Sequence, residues 1–331
     1  MNGILKKIRQ RFNGYGVIVG VVIVMMVGTL LNGESFLTIN NISNVGRQAT
    51  IRGLLACGMA LVIMSGSIDL SVSTLFAFSG FLSLYFSNYS AVLAFVIPMA
   101  AAAGVGFINA TLIVKAGFHP WIVTIASQLG IQGILLMMTR GDTYKAVHIS
   151  PGFATFGKII FFRYISIYLV IFILTFVVFA VLLKKRSAFR NIYAVGGNEE
   201  AATMMGINVY KTRLLAHMLC SMLACLAGIL LVSRTEAAYP LAGTSYEMYA
   251  IAACALGGIY LTGGRGKIMG AFAGAWILGF LNNIFNMQSY VNPLWEQVVT
   301  GLLLIIVVFS QSANAKQIFK NIKKSTSRVS V

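Results

Sequence analysis

The chain has 331 residues, of which 58% are hydrophobic and 10% charged, and its net charge is +17. A soluble domain carries about 25% charged residues, so this balance, with a mean hydropathy of +0.84, marks a polytopic membrane protein. The charge does not imply nucleic-acid binding, because the basic residues lie mostly between apolar runs, where they orient spans.

Each span needs about 20 apolar residues, and the runs predict an all-α bundle of about ten transmembrane helices. Lys6, Lys7, Arg9 and Arg11 precede "GVIVGVVIVMMVGTLL", read as a retained first span at 16–31 because no clear small-residue cleavage site follows. The second and third spans are expected at 45–65 and 70–86. Between them stands "GSIDLS" (66–71). A single helix from Ile51 to Phe86 would be about 54 Å long, too long for a core of about 30 Å, so the chain is expected to break near Gly66. Asp69 then has two readings. It caps the next helix through its carboxylate, or it lines a pathway together with Ser71.

Spans at 91–114 and 119–139 follow, carrying Asn109, Gln128 and Gln132. Residues 140–163 form a long loop, with a turn expected at Pro151–Gly152. After a span at 164–183 comes a second long loop, 184–213. Within it, Asn198 is a good N-cap, Glu199 and Glu200 suit the positive end of a helix dipole, and Gly206 is a natural stop. This predicts a short helix over 199–205, with Ala201, Met204 and Met205 at helical spacing. A folded loop and a docking element both fit that pattern, since methionine makes an adaptable contact surface. The last spans are expected at 214–233, 247–262, 268–286 and 294–311, with Glu247, Asn282 and Asn283 in or beside them. For each of these polar residues a pathway lining and a buried inter-helix hydrogen bond are the two readings. Trp121, Tyr290 and Trp295 read as interfacial anchors.

Most of the 25 basic residues fall on one side if both termini are inside. The expected organisation is a cytoplasmic segment at 1–15, one membrane domain over 16–311, and a basic cytoplasmic tail at 312–331. Loop 184–213 is then inside and loop 140–163 outside. Cys57, Cys220, Cys225 and Cys254 lie inside apolar runs, and His119, His148 and His217 are far apart, so no metal site or disulfide framework is expected. A phosphate-binding loop needs G-x-x-x-x-G-K-[ST]. The nearest stretch, "LTGGRGKIMG" (261–270), lacks the first glycine and has Ile268 after Lys267. The chain is therefore not expected to hydrolyse ATP, and no nucleophile–base pattern marks an enzyme. From the residues alone, an ion-coupled secondary transporter or channel using Asp69 and Glu247 stays open.

Several segments, in order, resemble permease subunits of bacterial ATP-binding-cassette sugar importers of the ribose, xylose, galactose and autoinducer-2 type. They are "NNISNVGRQATIRGLLACGMALVIMSGSIDLSVS" (40–73), "GFINATLIVKAGFHPWIVT" (106–124), "IYAVGGNEEAATMMGINV" (192–209), "SYEMYAIAACALGGIYLTGGRGKIMGAFAGA" (245–275) and "NPLWEQVVTGLLLII" (292–306). The chain departs from the family pattern at Ser67 and Ala110, where glycine is usual, at Ser73–Thr74, where Gly–Ser is usual, and at Tyr249, where aspartate is usual. The resemblance implies a type II-like importer permease in the bacterial cell membrane, working as a homodimer or with a paralogue. It implies a separate cytoplasmic ATPase that binds ATP and magnesium, and an extracytoplasmic sugar-binding protein. It also implies that Asn198, Glu199, Glu200, Ala201, Ala202, Met204, Met205 and Gly206 form the coupling helix to that ATPase.

Overall fold

A computed structural model describes residues 16–162, 164–288, 290–292 and 294–311. The expected terminal segments, 1–15 and 312–331, lie outside the described residues. The long helices are α1 (Gly16–Asn32), α2 (Ile39–Met64), α4 (Ala91–Val114), α5 (Pro120–Thr139), α7 (Ile167–Lys185), α10 (Val209–Thr235) and α12 (Ile268–Met287). With the 3-10 turn that follows α1, these give seven helices long and apolar enough to cross a membrane. Three shorter apolar helices complete the set: α3 (Val72–Phe86), α11 (Tyr246–Leu256) and α13 (Trp295–Gln311). All ten expected spans therefore exist as helices, and several boundaries move. Thr38 accepts from the Asn41 N–H (3.3 Å) and starts α2 six residues before the expected 45. The span expected over 247–262 ends at Leu256, because Gly257, Gly258 and the residues to Lys267 form a turn.

The bundle is organised around α10, which packs against α2, α3 and α4, while α12 packs against α2, α1 and α11. Small residues let these backbones approach, as expected where lipid supplies little drive for helices to associate. A Cβ on Gly58 of α2 would sit 2.8 Å from Cys220 Cα of α10, and one on Gly228 of α10 would sit 2.2 Å from the Phe76 carbonyl of α3. The four cysteines are free and buried in these contacts. A satellite core of Phe36, Val45, Phe280 and Ile284 seats the start of α2 on α12.

Both long loops hold helices that the sequence reading did not separate. In 140–163 the expected turn at Pro151–Gly152 is instead the first turn of α6 (Pro151–Phe156), with Pro151 at a position where its missing N–H costs nothing. Strand β1 (Tyr144–Lys145) pairs antiparallel with β4 (Ala237–Ala238), and β2 (Ile160–Phe161) with β3 (Ile165–Ser166). Lys158 also forms an ion pair with Glu236 at the end of α10. In 184–213 an amphipathic helix, α8 (Ser187–Gly197), buries Ile192 and Val195 and leads into α9 (Glu199–Met204).

Candidate functional site

The short helix α9 forms because its first N–H groups have a partner. The Asn198 side chain accepts from the Ala201 N–H (2.8 Å), Glu199 and Glu200 occupy the first turn, and Gly206 follows with φ +78°. Its faces are unlike. Met204 and Met205 are 88% and 69% exposed, whereas Ala202 is fully buried. Ala202, counted among the coupling residues, therefore faces the protein. Asn198→Ala removes the cap and is expected to destabilise α9 by about 1 kcal/mol. Faster amide exchange at Ala201 in the Asn198→Ala protein, with bundle amides unchanged, is the check.

The joint leading into α9 is packed backbone to backbone. The Gly264 N–H donates to the Met64 carbonyl at the end of α2 (3.0 Å). A Cβ on Gly196 would lie 1.9 Å from that same carbonyl, and Gly66 (φ +77°) lies against Gly196. The "GGRGK" turn, the end of α2 and the end of α8 thus meet backbone to backbone beside α9. A side chain links α9 onward too: Arg213, in the first turns of α10, pairs with Glu199 (2.7 Å). A cleft of about 560 Å³ opens here, lined among others by Ser67, His119, Glu199 and Arg213.

Behind the cleft is the helix break. Asp69 is fully buried. Its Oδ1 accepts from the Ser71 N–H (3.0 Å) and the Ser71 hydroxyl (2.5 Å), and its Oδ2 pairs with His217 Nδ1 (3.1 Å). The other ring nitrogen of His217, Nε2, is bonded to Ser67 Oγ (2.9 Å). Asp69 is thus not an N-cap of a helix starting at 70: α3 starts at Val72, Ser71 holds the cap position, and the carboxylate braces the turn before it. The network continues through Asn109 of α4, which donates to Ser71 Oγ (3.2 Å) and accepts from Ser127 of α5 (2.5 Å). The sequence offered no sign that His217, whose partners are about 150 positions away, or Ser127, whose partner is on the preceding helix, would join this network.

The remaining candidates divide between other places. Asn283 and Asn41 exchange two hydrogen bonds of 2.9 Å, tying α12 to α2. Asn282 donates to Glu296, which pairs with Arg52 of α2 (2.7 Å). Arg52 also lies over the ring of Tyr249, 4.4 Å from its centroid. Glu247, 9% exposed in the first turn of α11, leaves Oε2 without a hydrogen-bond partner among the described residues. Gln128 donates to Ser73 Oγ (3.2 Å) and Gln132 to the Pro240 carbonyl (3.3 Å), both inter-element ties. Among the described residues no group of three or more His, Cys, Asp or Glu side chains is placed to hold a metal.

Residues 41–308 match the family model described as "Branched-chain amino acid transport system / permease component". The chain belongs to this permease family. It is a non-catalytic component of a transport system and a multi-pass membrane protein. The permease is 38% identical over 295 residues to the ribose import permease protein RbsC of Bacillus subtilis, covering 88% of this chain and 91% of that protein. It is 33% identical over 302 residues to the L-arabinose transport system permease protein AraH of Escherichia coli, covering 89% of each. It is 29% identical over 364 residues to the xylose transport system permease protein XylH of Haemophilus influenzae, covering 92% of this chain and 97% of that one. No solved structure matches the permease significantly. The Ser67–His217–Asp69 bonds tie the segment between α2 and α3 to α10.

Proposed function

We propose that this permease translocates a monosaccharide, or a related small polyol-like solute, across the bacterial plasma membrane. Two permease chains, identical or paralogous, form the path. An extracytoplasmic binding protein delivers the solute, and a separate cytoplasmic ATPase drives the cycle. The observation that carries this reading is the 38% identity to a ribose import permease over 88% of the chain. Its relatives named for arabinose and xylose import set the chemical class of the cargo.

In this reading both termini are inside and α9 is the knob that enters the ATPase. The exposed Met204 and Met205 support that role, because flexible thioether side chains fit a partner's surface well. Trp121 and Trp295, half-exposed at the starts of α5 and α13, suit the role of membrane-interface anchors. The test is reconstitution in proteoliposomes with the ATPase and binding protein. ATP-dependent uptake of ribose, arabinose or xylose is expected. Uptake by the permease alone, driven by a proton or sodium gradient, overturns the reading in favour of ion coupling through Asp69 and Glu247. In the same vesicles, Met204→Glu with Ala201→Glu is expected to abolish uptake and solute-stimulated ATP hydrolysis at normal permease levels. If both activities survive, α9 is not the coupling element.

A further inference from the structure

Arg213 and His217 stand four residues apart in α10, so they project from one face of that helix. Arg213 Nη2 reaches Glu199 Oε2 at the head of α9 (2.7 Å). One turn deeper, His217 holds Ser67 Oγ (2.9 Å) and Asp69 Oδ2 (3.1 Å), the two side chains that shape the break between α2 and α3. A single helix face therefore touches α9 with one side chain and the break with the next. The inner rung is dry: His217 and Asp69 side chains are both fully buried. Buried polar groups bonded on every side move together, since separating them strands an unpaired group away from water. The helix itself has little freedom to roll. A Cβ on Gly106 of α4 would stand 2.8 Å from the His217 carbonyl, so α4 lies directly against this turn of α10.

We propose that His217 is a positioning residue for transport: it carries displacement of α9 to Asp69 and so sets the α2–α3 break. The inference rests on the coupling role proposed for α9. Asp69 is the receiving end, because it alone also holds Ser71, and through Ser71 and Asn109 it reaches α4 and α5. Ser67 passes no further side-chain bond on to another element among the described residues, so the bond at Nε2 is a restraint and the bond at Nδ1 is the transmitting one.

The experiment uses the permease assembled with its ATPase and binding protein in proteoliposomes, reading solute uptake and ATP hydrolysis together. His217→Asn keeps an N–H near the Nδ1 position and drops Ser67. His217→Gln reaches toward Ser67 and drops Asp69, and His217→Leu drops both. His217→Leu is expected to lower solute moved per ATP by about tenfold, in the usual range of coupling between sites. His217→Asn should recover most of that ratio and His217→Gln little of it. A merely structural role predicts that uptake and hydrolysis fall together, in proportion to assembled complex, with the ratio unchanged; that result overturns the inference. Should His217→Leu fail to assemble, equal ratios for His217→Asn and His217→Gln overturn it as well. Failure of the coupling role is separately visible, as undiminished uptake in the Met204→Glu, Ala201→Glu protein.

Discussion

Arg52→Leu is expected to melt well below the parent and to lower the amount of folded permease in the membrane, and adding Glu296→Leu to recover a substantial part of the loss. Arg52 lies near the middle of α2, and its side chain is 15% exposed against 8% for Glu296. Glu296 has both oxygens engaged, one by Arg52 and one by Asn282, and the guanidinium also covers Tyr249 and Tyr246 at 4.4 and 5.6 Å from their centroids. Removing one member of such a pair strands the other charge, which costs about 3–5 kcal/mol. Total stabilities are about 5–15 kcal/mol, so the loss takes much of the margin. Removing both replaces two charges by apolar groups in apolar surroundings. The recovery is incomplete, because the Asn282 side-chain N–H loses its acceptor, a cost of about 1–3 kcal/mol. Arg52→Lys is expected to fall between, since it keeps the charge but loses the planar fork that stacks on Tyr249. Thermal melting of detergent-solubilised protein, with amounts in the membrane, checks this series. Arg52→Leu melting within about 2 °C of the parent would refute it.

Gly196→Ala is expected to abolish transport, while Gly197→Ala, one residue along, is nearly silent. The added methyl at 196 would meet the Met64 carbonyl at 1.9 Å, a backbone atom that has no rotamer to change. At 197 nothing lies within 4 Å. Overpacking costs about 1–3 kcal/mol and occasionally more, and at 196 it falls on the junction of α8, the end of α2 and the turn at 263–266. The affected backbone includes the Gly264 N–H bond to Met64. Uptake measured at matched permease levels distinguishes the two variants, and full uptake by Gly196→Ala would refute the contact.

The spans were legible because about 20 apolar residues in a row have few other fates. α9 was legible because capping is local: Asn198, two acids and Gly206 lie within nine residues. The break at "GSIDLS" could be inferred from length alone. What decides the role of Asp69 could not, since His217 is 148 positions away and no local pattern reports on a partner so remote. The same holds for Arg52 and Glu296. Nothing beside Arg52 in the sequence announces that its counter-charge lies on α13. α8 was missed because its basic residues and terminal glycines resemble a loop, although Ile192 and Val195 at helical spacing mark its buried face. Asn282 and Asn283, adjacent in sequence, diverge on the helix surface to serve separate partners, Glu296 and Asn41.

The separation of 244 positions between Arg52 and Glu296 also has a consequence in time. A ribosome adds about 5–20 residues per second, so α2 is complete about 12–50 s before its counter-charge exists. During that interval a guanidinium in the middle of a nascent helix has to be accommodated by water, lipid headgroups or the insertion machinery. Arrival of α13 ends the wait. A chain cut short before residue 296 lacks the carboxylate that pairs with Arg52, so the guanidinium keeps no counter-charge there.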